Sequence, residues 1–161
     1  MDKVEKLPED IKTIWRINVL IDGFLYLIIL LALVILSIFL PEKGQNFIEI
    51  VQIVVGVIAI AILAGKLILI PYRWNFWTYY IDERQVELHK GFFFRKQIII
   101  PIARIQNVTL KQGPILRIKS LQKVIVVTAA GKSEIEGIKS DQAEALKELL
   151  MKLAQEAKND I

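Results

Sequence analysis

The chain has no cysteine, and His89 is the only histidine among its 161 residues. The lack of cysteine excludes disulfides, thiolate metal sites and a cysteine nucleophile. A single histidine excludes a metal centre built from clustered imidazoles. The sequence also has no glycine-rich phosphate loop, nucleophile elbow or metal-binding motif. It therefore predicts no catalytic, cofactor-binding or metal-binding residues, and a protein that is not an enzyme.

Charged residues are nearly missing from two long stretches in the first half of the chain. Residues 24–40 contain none, and extension back to Ile17 adds only Asp22. The second stretch, residues 47–70, carries Glu49 near one end and Lys66 near the other. Each stretch reaches the roughly 20 residues that cross a bilayer. We predict spans at about 17–40 and 47–70. A buried hairpin of a soluble protein is disfavoured because apolar residues surround each helix.

The connection between the two spans, residues 41–46, is short and contains Pro41 and Gly44. Such a connection predicts an antiparallel hairpin, with both chain termini on one side of the membrane. The loop holds a single basic residue, whereas the N-terminal flank holds four: Lys3, Lys6, Lys12 and Arg16. The positive-inside bias therefore predicts a two-pass plasma-membrane protein with cytoplasmic N- and C-termini. We expect Asp22 to be solvated or paired within the hairpin.

The pattern changes from Tyr72 onward to short, alternating β-like runs that are separated by turn residues. We predict strands at 74–81, 86–89, 92–100, 105–110, 124–128 and 133–138. Residues 140–157 instead show one apolar helical stripe, suited to covering a sheet. The predicted class is α+β: a cytoplasmic segment (1–16), a transmembrane hairpin (17–71) and a cytoplasmic β domain capped by a C-terminal helix (72–161).

A more specific signal follows the third predicted strand. Ile100–Val108 reads IPIARIQNV, Gln112–Arg117 reads QGPILR, and Thr128–Gly131 reads TAAG. Together with the preceding double span, these motifs resemble the bacterial PH-like domain of small membrane proteins of the YdbS type. The resemblance implies a PH-like barrel or sandwich, with two roughly orthogonal sheets capped by the C-terminal helix. It implies no known activity and no catalytic residues. Ser120 stands where some relatives place a small turn residue such as glycine, which leaves the local turn geometry open.

Basic residues are in excess in the predicted β region. Residues 73–139 hold twelve lysines or arginines against five acidic residues. Beneath an anionic leaflet this excess favours membrane contact, although an ordinary solvated face explains it equally well. Arg104, beside Gln106 and Asn107, could present its planar fork to an anion. A structural role at the corner that follows Pro101 is the favoured reading. The candidate membrane-surface or partner contacts are Arg73, Lys90, Arg95, Lys96, Arg104 and Arg117.

These features predict a membrane-anchored, non-enzymatic interaction or scaffold module, a subunit of a membrane protein complex. The expected partners are membrane lipids and a membrane protein with a related domain, or further copies of this chain, and not nucleic acid. The alternative function is sensing of anionic lipid or of the membrane surface. The three aromatic residues at 92–94 would place at least one ring in the core. An enzyme of unrecognised type would require a pocket with convergent polar groups.

Overall fold

The computed structural model describes residues 5–91 and 94–159, except for the side chains of residues 42, 43, 158 and 159. It divides into two compact units. Residues 15–70 form one unit, and the residues before 15 join those from 71 onward in the other. The predicted aromatic packing at Phe92 and Phe93 lies outside the described residues.

Two helices, α1 (Asp10–Ile38) and α2 (Glu42–Asn75), are long and apolar enough to cross a membrane. Each contains a window of mean hydropathy 2.9, of which only 6% and 11% respectively is buried. The core helix of a soluble protein would instead bury its apolar face. Two hydrogen bonds join the helices: Gln52 Nε2 donates to the Leu33 carbonyl at 3.0 Å, and Lys66 Nζ donates to Asp22 Oδ2 at 2.7 Å. The partner on α1 lies earlier in the chain as the residue on α2 lies later, so the two helices run in opposite directions. The predicted antiparallel hairpin is confirmed.

The connection between α1 and α2 is shorter than expected. The helix α2 begins at Glu42, directly after Pro41. The Pro41 carbonyl accepts hydrogen bonds from the Gly44 and Gln45 amides at 2.7 and 3.3 Å. Most of the predicted loop is therefore the first turn of α2.

The pairing of Asp22 with Lys66 makes a direct test of the hairpin. Asp22→Leu alone would leave the Lys66 ammonium without its partner in an apolar segment, so this variant should be less stable than the wild type. Replacing both residues by leucine removes both charges and should restore stability. Unfolding of the chain in mixed micelles with increasing SDS measures the difference. A double variant that is as unstable as the single variant would show that the two residues act independently.

The second unit contains two antiparallel sheets. The first has the order β1 (Glu5–Lys6), β2 (Trp77–Ile81), β3 (Gln85–Lys90) and β4 (Lys96–Pro101). A 3-10 turn, Ile102–Arg104, leads to the second sheet, which consists of β5 (Ile105–Lys111), β6 (Leu121–Thr128) and β7 (Gly131–Lys139). A short helix α3 (Pro114–Arg117) lies between β5 and β6, and α4 (Ser140–Asn159) ends the described chain. The predicted α+β class is confirmed.

The core of this unit follows from alternation along the strands. Val86 and Leu88 on β3, and Val124 and Val126 on β6, are fully buried, whereas their neighbours in sequence are only partly buried. The helix α4 packs on β5, the 3-10 turn, β6 and β7. It buries Ala143, Leu150 and Ala154, which share one helical face. Burial of this stripe is what holds α4 in place, as expected for an amphipathic helix.

Residues 5–14 belong to the β domain. Strand β1 pairs with β2, with Glu5 opposite Tyr79. Leu7 and Ile11 are almost completely buried, at 2% and 1% exposure. Trp74 Nε1 donates to the Leu7 carbonyl at 2.9 Å, which ties the segment to the end of α2. The sequence predicts a domain that starts at Tyr72, and the structure adds residues 5–14 to it.

Three local features of the chain differ from the predicted boundaries or settle the geometry of a predicted turn. The helix α2 continues through Pro71, so Trp74 is helical and the first long strand begins only at Trp77. Strand β4 begins at Lys96 rather than in the aromatic run. Ser120 has a φ of 50°, the left-handed conformation that glycine adopts at least cost. This explains why a glycine suits that turn.

Candidate binding groove at the free edge of the first sheet

Strand β4 is an edge strand, and a groove lies beside it. Within the described residues β4 pairs with β3 alone. The adjoining cavity has a volume of about 740 Å³, within the range of about 300–1,000 Å³ that is typical of ligand pockets. Its walls come from β4, the 3-10 turn, the start of β5 and the β6–β7 turn. Its lining includes Ile98, Ile99, Pro101, Arg104 and Lys132.

The hydrogen-bonding pattern shows which backbone groups of β4 face the groove edge. Bonded and non-bonded pairs alternate along an antiparallel ladder. Ile102 N donates to the Arg84 carbonyl at 2.8 Å. Ile100 and Ile98 lie two and four residues before Ile102 in the same register, so their backbone N–H and C=O groups also point toward β3. The backbone groups of Gln97 and Ile99 therefore point away from β3. Pro101 ends the strand and has no N–H to leave unpaired.

The groove is positively charged and otherwise largely apolar. Arg104, at the end of the 3-10 turn, and Lys132, near the start of β7, both line it and are exposed. Neither forms an ion pair within the described residues, and no lining residue is acidic. Ile99, which is 51% exposed, contributes to the apolar wall. Such a groove can hold a carboxylate or phosphate on the Arg104 guanidinium while apolar groups contact the wall.

The corner after β4 is built from the backbone and from buried apolar side chains rather than from the Arg104 side chain. Pro101 has extended backbone angles, and Ile102 and Ile105 on either side of Arg104 are 1% exposed. The Ile105 amide closes the turn by donating to the Ile102 carbonyl. The Arg104 side chain is left exposed at the groove.

Three of the other basic candidates gather away from the groove. Lys90 and Lys96 are cross-strand neighbours. Lys90 Nζ lies 4.7 Å from the Trp77 ring centroid and donates to the Glu134 carbonyl at 3.2 Å. Arg73 pairs with Glu136 at 3.4 Å. Burial lowers the pKa of Lys90, and Arg73 and Lys96 add to this effect, while the two glutamates oppose it.

Acidic residues compensate part of the basic excess. Lys123 contacts Glu134 and Glu136, at 3.5 and 3.4 Å. Lys119 pairs with Asp10 at 3.7 Å. Among the remaining candidates, Arg117 is exposed at the end of α3, and Arg95 is exposed just before β4. The six candidate residues therefore do not form one patch, and only Arg104 lines the groove. The fold brings Lys132, which is not among the predicted candidates, to the groove beside Arg104.

A second, smaller cavity of about 290 Å³ lies between β2 and α4, and Tyr79 lines it. Burial, and the hydrogen bond that the Tyr79 hydroxyl donates to Glu5 at 2.5 Å, raise the pKa of Tyr79 above its ordinary value of 10.0. Above pH 10 the unfolded chain loses this proton while the folded domain keeps it. The free energy of unfolding therefore falls as the pH rises further.

The raised pKa of Tyr79 predicts that the free energy of unfolding depends on pH in the alkaline range. The slope that the Tyr79 hydroxyl contributes above its ordinary pKa is at most about 1.4 kcal/mol per pH unit, reduced by solvent screening. Tyr79→Phe should remove this contribution. Urea unfolding of both proteins below and above pH 10, the ordinary pKa of tyrosine, measures this contribution. Above pH 10 the wild type should lose more stability than the variant. Parallel pH profiles would show that the hydroxyl ionises equally in both states.

Comparisons with known proteins identify the family. The family model described as bacterial PH domain matches residues 17–154. The UPF0699 transmembrane protein YdbS of Bacillus subtilis (strain 168) is 27% identical over 158 residues, which cover 96% of this chain and 94% of that protein. The UPF0699 transmembrane protein YdbT of the same organism is 32% identical over 114 residues, covering 68% of this chain but 22% of that protein. No solved structure matches. The two apolar helices and these transmembrane relatives support a location in the membrane, and the extent of the family match shows that the chain belongs to the bacterial PH domain family.

Proposed function

We propose that this protein is a membrane-anchored, non-enzymatic interaction module that binds a partner membrane protein at the cytoplasmic face. The observation that carries this proposal is the free edge of β4 beside the positively charged groove. An unpaired strand edge is a template for a second chain, and monomeric proteins usually cover or blunt such edges. The transmembrane hairpin keeps the domain at the membrane, where membrane-protein partners are found.

The character of the partner is supported by the comparison with YdbT. The segment that resembles this chain is about a fifth of that transmembrane protein. Similar sequence thus occurs both in a chain of this size and within a larger membrane protein. We therefore propose a partner that carries a related domain and assembles with this chain in a membrane protein complex.

The complex can be tested by crosslinking in native membranes followed by purification of the full-length chain. The variant Arg104→Glu/Lys132→Glu reverses both groove charges. The control Lys111→Glu/Lys139→Glu makes the same change at two exposed residues near the opposite end of the second sheet. The wild type and the control should recover one membrane protein, and the groove variant should recover at least about tenfold less, as expected for loss of a charge-assisted contact. Equal recovery with all three proteins would contradict the proposal.

The orientation is part of the proposal, and it follows from the basic N-terminal flank. Because the chain lacks cysteine, single cysteines can report it without background. Gln45→Cys lies in the first turn of α2 and Lys139→Cys lies on β7. In intact cells a membrane-impermeant maleimide should label only the first variant. Labelling of the Lys139→Cys variant alone would show that the termini lie outside the cell and would contradict the proposed orientation.

Sensing of anionic lipid is the second candidate function, and a basic and aromatic cluster supports it. The Nζ atoms of Lys12 and Lys6 lie 3.6 and 5.6 Å from the Trp74 ring centroid. Such residues are common where a chain meets the headgroup layer. The internal ion pairs of Arg73, Lys119 and Lys123 reduce the basic charge that is available to lipid. We therefore rank lipid sensing below partner binding.

The full chain can be reconstituted into neutral and anionic bilayers at low and high salt to test the lipid alternative. Lipid sensing predicts a change in tryptophan emission that depends on anionic lipid and weakens with salt. Identical spectra in all four conditions would eliminate this function. Residues 72–161 alone are unsuitable for such a test because they lack β1 and the buried Ile11.

A further inference from the structure

We infer that the groove binds an extended, acidic segment of the partner, which adds to β4 as a further strand of the first sheet. This inference rests on the proposed function and deepens it, because it names the chemistry of the partner at the same surface. Three observations support it: the direction of the free backbone groups, the charge of the groove and the like charges that oppose pairing between two copies.

The free backbone groups of β4 have the spacing that strand addition requires. Gln97 and Ile99 are two residues apart and direct their N–H and C=O groups away from β3. An incoming extended chain presents its own groups with the same period. Main-chain hydrogen bonds provide the affinity in this mode of recognition, and side-chain pockets provide the specificity. Pro101, which has no N–H, marks the end of the pairing segment.

The charge of the groove selects an acidic occupant. Arg104 and Lys132 line it, neither has an ion-pair partner in the described part of the chain, and no acidic residue shares the lining. A carboxylate of the incoming strand can accept hydrogen bonds from the guanidinium and the ammonium. Alternate apolar side chains of that strand would contact Ile99 and Pro101. The segment therefore combines aspartate or glutamate with apolar residues in extended order.

A second copy of this chain does not fit the same edge. Antiparallel pairing of two β4 strands would bring Lys96 at the start of one strand near the Arg104 end of the other. Like charges that face each other across a strand pair are destabilising. The occupant is therefore a different chain, with acidic residues where this one has basic residues.

A peptide experiment tests this assignment with the full chain in nanodiscs of neutral lipid. The probe is a displayed library of random linear peptides, selected on the wild type. We expect the selected peptides to be enriched in aspartate or glutamate that alternates with apolar residues. Their affinity should fall at least about tenfold on Arg104→Glu/Lys132→Glu, and should change less than about twofold on Lys111→Glu/Lys139→Glu.

Pairing of the peptide backbone with β4 can be measured separately from charge recognition. Hydrogen exchange of the Gln97 and Ile99 amides should slow when a selected peptide binds. Ile99→Pro removes one of these two donors at a position where an edge strand tolerates proline, and should also weaken binding at least about tenfold. If that variant does not fold, the exchange measurement and the charge-reversed variant still decide the question.

The possible outcomes separate this inference from the proposed function. If the partner is recovered in membranes but a selected peptide leaves both amides unprotected, strand addition is wrong and the proposed function stands. If short-chain anionic lipid binds through Arg104 and Lys132 and displaces no peptide, the groove is a lipid site and the inference is overturned. If neither partner nor peptide binds, both proposals fail. Protection of both amides together with loss of binding on charge reversal supports strand addition.

Discussion

Replacement of Ile11 by alanine is expected to destabilise the domain by about 2–5 kcal/mol, the usual cost of removing a buried isoleucine side chain. Ile11 is 1% exposed and lies in the first turns of α1. It packs close to Gly137 on β7, so it fills space in a core most of whose residues lie in the strands and in α4, much later in the chain. Alanine would leave a cavity that the two sheets can close only in part.

Urea unfolding of the detergent-solubilised chain, followed by tryptophan fluorescence, measures this cost. Glu9→Ala is a suitable control because the Glu9 side chain is exposed in the same segment. We expect that control to change the free energy of unfolding by less than about 0.5 kcal/mol. A similarly small effect of Ile11→Ala would mean that the N-terminal segment is not part of the domain.

Gly137→Ala is expected to produce the second large loss of stability. Gly137 has a φ of 73°, a conformation that costs a residue with a Cβ about 1–2 kcal/mol. An added Cβ would also collide with the Ile11 side chain, and overpacking of this kind costs about 1–3 kcal/mol. The two terms together predict a loss of about 2–5 kcal/mol.

The double variant separates these two terms. In the Ile11→Ala background the two side-chain atoms nearest to the added Cβ, Cδ1 and Cγ1, are absent. The Cβ of residue 11 stays in tight contact at 3.1 Å, so most of the collision is removed while the backbone strain remains. Gly137→Ala should therefore cost about 1–3 kcal/mol less there than in the wild type, a coupling typical of residues in contact. The same unfolding measurement on the four proteins gives this coupling energy. Additive effects would contradict the contact between α1 and β7.

Much of the fold could be predicted from local sequence patterns. The two long apolar stretches predict the spans because length and hydropathy largely decide whether a helix can cross a bilayer. The alternation at Val86 and Leu88 predicts β3, and the helical spacing of Ala143 and Leu150 predicts α4. In each case the buried face can be read from neighbouring residues.

Long-range packing decides the features that were not predicted. Strand β1 has only two residues, too few for alternation to be visible. Its pairing depends on β2, which follows both spans in the chain. The aromatic residue Trp74 has high β propensity, yet it lies in α2, because tertiary contacts override propensity. The hydrogen bond from Trp74 to the Leu7 carbonyl is such a contact.

The candidate groove was predicted only in part. The motif around Arg104 directs attention to that residue, but Lys132 is distant in sequence and reaches the groove through the β6–β7 turn. The basic excess of residues 73–139 suggests one charged face. The structure instead pairs part of that charge with Glu134, Glu136 and Asp10. Such pairing depends on strand register and cannot be counted from composition.

The most direct test of partner binding at the β4 edge is site-specific photo-crosslinking in living cells. A photoreactive amino acid replaces Ile99 at the groove or, as the control, Lys139 near the far end of the second sheet. We expect a specific adduct with one membrane protein from position 99 and no adduct from position 139. The adduct from position 99 should disappear in the Arg104→Glu/Lys132→Glu background. Equal adducts from both positions, or an adduct at position 99 that survives charge reversal, would contradict partner binding at the β4 edge.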